Sequence, residues 1–248
     1  MQNLKIPIDA ILVPQGAEYK SVCIGLNRVA SPKPTVFPIP MGTLPLKNYL
    51  EIWQKSVQIH SGSRVLLMGL CGSLSPQYNV GDIVVYSSCI YSVLKEDREL
   101  PLSVSQLLCE PELTVKLQNK LSTKKAFKGV GLTSDRLIYS AKEKLYLGQT
   151  YNANVVDMEG FVALENLSQL GIAVGMVRVV SDDVRYDVPN LTNALNSHGS
   201  LQALPLAMGL LREPIAATRL IFGSLRGLKV LQEVTTALFT TRVNYIQP

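Results

Sequence analysis

The chain has 248 residues, 47% of them hydrophobic and 17% charged, with a net charge of +5. That charged share lies below the usual ~25%, which excludes long disorder and coiled coil as the main architecture, and the length suits one large α/β domain or two small ones. Four widely spaced cysteines without a C-x-x-C pair and only two histidines, His60 and His198, exclude thioredoxin-like chemistry and any three-His metal centre.

Further classes fall away on the same grounds. No G-x-S-x-G marks a serine hydrolase. Aromatics are 6% and no dense Lys/Arg cluster is present, so no nucleic-acid partner is expected. No run reaches the ~18 apolar residues of a membrane span, and the first seven residues lack the apolar core of a signal peptide. The cysteines read as buried, inert thiols, and the expected location is cytoplasmic. With histidine so scarce, acid–base chemistry falls to carboxylates.

The elements follow in chain order. Residues 8–14 read as a short buried strand. Residues 21–25 and 35–39 read as two more, with a Pro-rich loop between. A helix is expected over 45–60, where Leu46, Leu50, Trp53 and Val57 recur at helical spacing behind Pro45. Residues 64–69 form a strand that is apolar throughout after Arg64, of the parallel-sheet kind, followed by a small-residue turn over 70–76 and a strand over 80–85. Residues 111–121 read as helix, 126–132 as strand, 155–156 as a short strand and 158–170 as helix. Residues 172–180 complete the core. From about residue 190 the text turns helical and Leu-rich. Strands alternating with helices predict an α/β fold with a mixed central sheet flanked by helices. Its domain is expected to span 1–189, with residues 190–248 as a helical extension packed on it.

Ligands of open α/β sheets bind at the carboxyl ends of strands. Four such ends carry polar residues here: Pro14-Gln-Gly-Ala-Glu18, Gly69-Leu-Cys-Gly-Ser73, Asp157-Met-Glu-Gly160 and Ser181-Asp-Asp183. Taken singly, each also reads as an ordinary polar strand or helix cap. Together with Val80-Gly-Asp-Ile-Val-Val85, the set resembles the purine nucleoside phosphorylase/uridine phosphorylase superfamily, over roughly residues 8–185. Thr133-Ser-Asp-Arg-Leu137, the Ser197-His-Gly segment and Leu-Leu-Arg-Glu-Pro214 are similar to the hopanoid-associated phosphorylase branch, whose members are implicated in releasing adenine from adenosylhopane.

The resemblance implies cleavage of the N-glycosidic bond of a purine nucleoside, through an oxocarbenium-like ribose. It implies Asp182 as general acid toward the base, with Ser181 beside it, and Glu18 as the group that activates water. Glu159 is implied to accept the ribose hydroxyls, since one carboxylate offers two oxygens to a vicinal diol, with Met158 as apolar floor. Leu137 stands where nucleosidases often stack a Phe on the base. Gly72 and Ser73 are expected to offer backbone N–H groups. Asp157 reads as a cap, and Arg178, inside a strand, as the partner of a carboxylate.

Leu67, Leu70 and Glu18 offer nothing to a dianion, which prefers cations, hydroxyls or N–H groups. Hydrolysis is therefore expected over phosphorolysis. No metal or cofactor is implied, apart from phosphate as co-substrate of the alternative reaction. A phosphorylase, a methylthioadenosine/S-adenosylhomocysteine nucleosidase and a non-catalytic nucleoside-binding module stay open as alternatives. The relatives assemble as dimers, trimers of dimers or hexamers, so a homo-oligomer is implied. Arg212, Arg219 and Arg226 recur every seven residues, with Lys229 three further on. This basic stripe reads as a solvated helix face or as a peripheral contact with an anionic membrane.

Overall fold

The computed structural model of the chain describes residues 7–30, 32–57, 59–92 and 104–240; most of the N-terminal segment read for a signal peptide lies outside them. Among the described residues, eight strands form one mixed sheet with seven α-helices around it. The strands are β1 (Ala10–Pro14), β2 (Thr35–Ile39), β3 (Arg64–Ser73), β4 (Ile83–Ser92), β5 (Val104–Leu108), β6 (Ala126–Thr133), β7 (Val155–Asp157) and β8 (Ala173–Asp182). The helices are α1 (Ala17–Asn27), α2 (Thr43–Ser56), α3 (Pro111–Lys120), α4 (Ala141–Tyr151), α5 (Gly160–Gln169), α6 (Ala203–Arg212) and α7 (Pro214–Phe239).

The sheet runs β2-β1-β3-β7-β6-β4-β5, and β8 pairs with both β3 and β4. The pairings β3–β8–β4–β6–β7–β3 therefore close on themselves. Closure needs long, bent strands, and β3 and β4 supply them with register shifts at Cys71/Gly72 and Tyr86/Ser88. Because β1, β3 and β8 run parallel, their carboxyl ends at Pro14, Ser73 and Asp182 meet at one edge. One buried cluster of Leu12, Leu46, Trp53, Leu67, Phe161 and Met176 fills one face of the sheet. Ile11, Met68, Val177, Leu231 and Val234 belong to a second cluster.

Four expectations are corrected. Residues 21–25 are not a strand but the middle of α1. Ser21, Val22, Gly25 and Leu26 form its buried stripe, a helical spacing that the run of apolar residues masks. Second, β3 does not stop at Gly69. It continues through Ser73, because β8 and then β7 pair with the segment that reads as a turn. Third, α2 ends at Ser56, where Val57 turns extended, so His60 lies in the following loop. Fourth, β4 begins at Ile83 and runs on to Ser92. Strand β5 and helix α4 have no counterpart in the sequence reading.

The C-terminal segment is part of the core. Leu231, Val234 and Leu238 of α7 are buried, and α7 lies along α1 and β8. Gly223 makes the crossing over β8 close: a Cβ there would stand 2.1 Å from the Ser181 carbonyl oxygen. Gly223→Ala is expected to push α7 off the end of β8 and to lower the unfolding free energy by a net ~1–3 kcal/mol, the usual cost of overpacking, although Ala normally gains ~1 kcal/mol over Gly inside a helix. An unchanged midpoint in a urea titration would refute the close contact.

Candidate active site

A cavity of about 1060 Å³ opens at the edge where β1, β3 and β8 end. Glu18, Leu137, Met158, Ser181 and Asp182 lie on its lining, so five of the eight residues expected from the sequence come together. Glu159, Gly72 and Ser73 are not on the lining.

Glu18 stands in the first turn of α1, and its Oε2 accepts the Leu70 N–H at 2.6 Å. Burial raises its pKa from 4.5 to about 7; Arg178 and the Leu70 N–H work in the opposite sense, while Glu159 adds to the rise. Glycine at position 69 makes this meeting feasible, since a Cβ would sit 2.3 Å from Arg178 Nη1 and 2.5 Å from Glu18 Oε2.

Asp182 ends β8. Ser181 Oγ lies 2.8 Å from its Oδ1 and 3.2 Å from the Cys71 carbonyl oxygen. Its Oδ2 pairs with Lys144, whose side chain is fully buried. Lys144 is the residue that sequence reasoning missed. The signal was Ser140-Ala-Lys-Glu143, a capping box: Ser140 caps α4 and Glu143 is the acidic residue of its first turn. A lysine inside the first turn of a capped helix gives no hint that it is buried against an acid.

Behind the cavity, Arg178 is fully buried. Its Nη2 lies 3.2 Å from Asp157 Oδ2 and 3.2 Å from Glu159 Oε2. Asp157 also caps α5, its Oδ1 accepting the Gly160 N–H and the Thr133 hydroxyl. Glu159 Oε1 accepts the Gly42 N–H at 3.1 Å. Its carboxyl is pushed up by burial, with Arg178 opposing. Glu159 is thus held off the cavity lining, next to Met158, which is on it.

The expectation for Gly72 and Ser73 is corrected in its geometry. Both are paired with β7, opposite Val156 and Val155, and the Ser73 hydroxyl is taken up locally by the backbone of Ser75. Gly72 instead makes room for the acid, since a Cβ there would stand 2.8 Å from Asp182 Oδ2. Leu67 is buried in the core, so it says nothing about phosphate; Leu70 does face the cavity.

The lining carries four carboxylates (Glu18, Asp135, Glu165, Asp182) and two cations, Lys47 and Arg136. Arg136 is committed to Glu143, with Nη1 3.2 Å from Oε2. Tyr91 and Phe161, stacked with ring centres 5.5 Å apart, also line the cavity. They supply the aromatic surface that Leu137 does not. Tyr91 donates to Asp135 at 2.9 Å, and burial together with that carboxylate pushes its phenol up to about 12. No histidine lies on the lining.

A closed mixed sheet with a cavity at its strand ends, lined by two differently held carboxylates, defines the class as an α/β enzyme. The chain belongs to the phosphorylase superfamily, whose family model matches residues 57–199. No curated protein matches the chain in sequence. The fold is shared with solved structures at low identity. Futalosine hydrolase of Helicobacter pylori superposes with a TM-score of 0.64 at 15% identity, covering 92% of this chain and 95% of its own. The 5'-methylthioadenosine/S-adenosylhomocysteine nucleosidase of the same organism gives 0.64 at 16% identity, over 92% and 96%. A Borrelia burgdorferi protein solved with adenine bound gives 0.65 at 14% identity, over 92% and 98%.

The buried ion-pair cluster yields a prediction. Arg178→Met leaves Asp157 and Glu159 as neighbouring buried carboxylates without their cation. The expected loss is ~3–5 kcal/mol of unfolding free energy. Adding Asp157→Asn and Glu159→Gln to that variant is expected to recover part of it. A single variant as stable as the parent in urea would show that the cluster does not hold the fold.

Proposed function

We propose that the chain hydrolyses the N-glycosidic bond of a purine nucleoside. The observation that carries this reading is the placement of Glu18 and Asp182 on the lining of one cavity, in different electrostatic surroundings. In the proposed reaction the bond from ribose C1' to the base nitrogen breaks as the base takes a proton through Asp182, which draws it from the Lys144 ammonium paired with its Oδ2. Asp182 ends the step as the carboxylate it began as, and Lys144 as the amine. Glu18, as carboxylate, takes a proton from water, and the water oxygen bonds to C1'. Tyr91 and Phe161 offer apolar surface to the base, and Met158 to the sugar.

Hydrolysis is preferred to phosphorolysis on charge. A lining with four carboxylates and one exposed, uncommitted cation, Lys47, repels a phosphate dianion. The adenine and nucleoside-like ligands of the proteins that share the fold support a purine. For the 5' substituent we propose a lipid-like group, as in adenosylhopane. Leu44, Leu191, Leu195, Leu201 and Leu220 line the cavity, whose volume reaches the upper end of the ~300–1,000 Å³ usual for small-molecule sites.

The assay is adenine release from adenosine and from 5'-alkyl adenosines, with and without phosphate. Release is expected without phosphate, with a kcat/KM that rises with alkyl length. Ribose 1-phosphate as product, with saturation in phosphate, would replace hydrolysis by phosphorolysis. Asp182→Asn is expected to slow turnover by ~10²-fold or more, the typical worth of a positioned acid; near-parental turnover in a folded variant would remove Asp182 from the role.

The pH profile follows from Glu18. Its pKa is about 7 and the base must be ionised. Activity is therefore expected to fall as pH drops through about 7, by about tenfold for each unit below it. Glu18→Gln is expected to remove most of the activity, and with it this limb. A flat profile from pH 5 to 8 would show that Glu18 is not the base.

A further inference from the structure

The C-terminal segment leaves an unusual surface outside the cavity. Helix α6 (Ala-Leu-Pro-Leu-Ala-Met-Gly-Leu-Leu-Arg) has no buried residue. Its solvent side presents Leu204, Ala207, Met208 and Leu211. The ridge continues on α7 with Ile215, Phe222 and Leu225. Leu204 is 72% exposed, Leu211 80%, Ile215 70% and Phe222 69%. Scattered exposed apolar residues need no explanation, but a contiguous ridge of large ones does.

The charges beside the ridge say what covers it. Seven residues turn a helix through two turns less about 20°, so residues at that spacing form a stripe. Ile215, Phe222 and Lys229 form one stripe on α7, and Arg219 and Arg226 form another on its flank. Arg212, expected in the same stripe from its spacing, ends α6 instead, because the chain breaks at Glu213. All four cations are solvent-exposed, and Glu213 is the only acid exposed among residues 201–230. Arg219 is held over the exposed Tyr186 ring, 4.2 Å from its centre. An apolar ridge edged by arginines matches the boundary of a bilayer, where apolar side chains enter the acyl region and cations meet anionic headgroups. A second copy of the chain seated here would bring another four cations to the same patch, a like-charge cost that an anionic bilayer does not impose. No helix among the described residues is long and apolar enough to cross a membrane, so the contact is peripheral.

We propose that α6 and the first half of α7 are a docking surface for an anionic lipid bilayer. The surface adjoins the cavity: Leu201 at the start of this segment and Leu220 and Ser224 on α7 belong to the lining. Docking would therefore set the cavity next to the bilayer. The proposal is independent of which bond the enzyme cleaves.

The test is co-sedimentation of the full chain with vesicles of equal parts phosphatidylcholine and phosphatidylglycerol, and with phosphatidylcholine alone, at low and high salt. Two variants accompany it: Leu204→Ser/Leu211→Ser/Phe222→Ser, which removes the ridge, and Arg212→Gln/Arg226→Gln, which removes two cations. None of these residues is on the cavity lining, so both variants are expected to keep the parental unfolding midpoint and turnover on adenosine. The expected result is salt-sensitive binding to the anionic vesicles, reduced at least tenfold in each variant. Failure of the parental chain to bind overturns the proposal, as does equal binding by the variants. Self-association of the parental chain that the Leu/Phe variant abolishes also overturns it, in favour of a second copy. Loss of adenine release with vesicle binding intact would count against the nucleosidase reading alone.

Discussion

The arrangement depends on one buried cation. Arg178 sits in the middle of β8 with no exposed surface, where an unpaired charge would cost far more than a protein's net stability. It is tolerable because Asp157, at the end of β7, and Glu159, just before α5, each place an oxygen 3.2 Å from the same guanidinium nitrogen. Those carboxylates hold Arg178 charged although burial works against it. In the other direction the pairing fixes two chain segments: Asp157 caps α5 and Glu159 holds the N–H of Gly42 before α2. Guanidinium atoms Nε and Nη1 have no hydrogen-bond partner among the described residues. Part of the field of the cation is thus left for Glu18, which Gly69 admits to its side.

From this centre the two cavity carboxylates acquire different characters. Glu18 is pushed toward neutrality by burial and by Glu159, more than Arg178 and the Leu70 N–H can offset. Asp182, at the end of the same strand as Arg178, has its own cation in Lys144 and a hydroxyl in Ser181. Two acids of one cavity are thus held in unlike surroundings, one by burial and the other by a buried cation. The separation here comes from three backbone features, the absence of a Cβ at Gly69 and Gly72 and the register shift beside Gly72.

The C-terminal segment divides into two parts with opposite relations to solvent. The second half of α7 supplies Leu231, Val234 and Leu238 to the core. Gly223 and Gly227 bring the helix against Ser181, and a Cβ at Gly227 would also touch Leu70. The end of β8 is therefore backed by residues some forty positions later. Helix α6 and the start of α7 bury almost nothing and keep their large side chains outside. One segment thus both braces the end of β8 and exposes an apolar ridge.

Some of this was legible in the sequence. Runs that are apolar save for one arginine, such as 64–69 and 172–180, identify strands buried on both faces, because few other structures bury nearly every residue of a run. The polar strand ends located Glu18, Met158, Ser181 and Asp182, although strand polarity accounts only for the ends of β1 and β8, since β7 runs antiparallel to β3. Other features were not legible, because hydrophobic pattern states which residues avoid water and not what covers them. The run Ser21-Val-Cys-Ile-Gly25 suits a strand or a helix until α7, some two hundred residues away, packs on its Gly25 side. Lys144 looks like a surface lysine until Asp182 arrives at its ammonium. Glu159 and Met158 are adjacent in sequence, yet Met158 lines the cavity and Glu159 does not. The sequence by itself determined the α/β class and the acids at the strand ends. The tertiary structure decided which acid is neutralised by a lysine, which is pushed up by burial, and which leucines stay in water, because those outcomes are set by contacts between segments far apart in the chain.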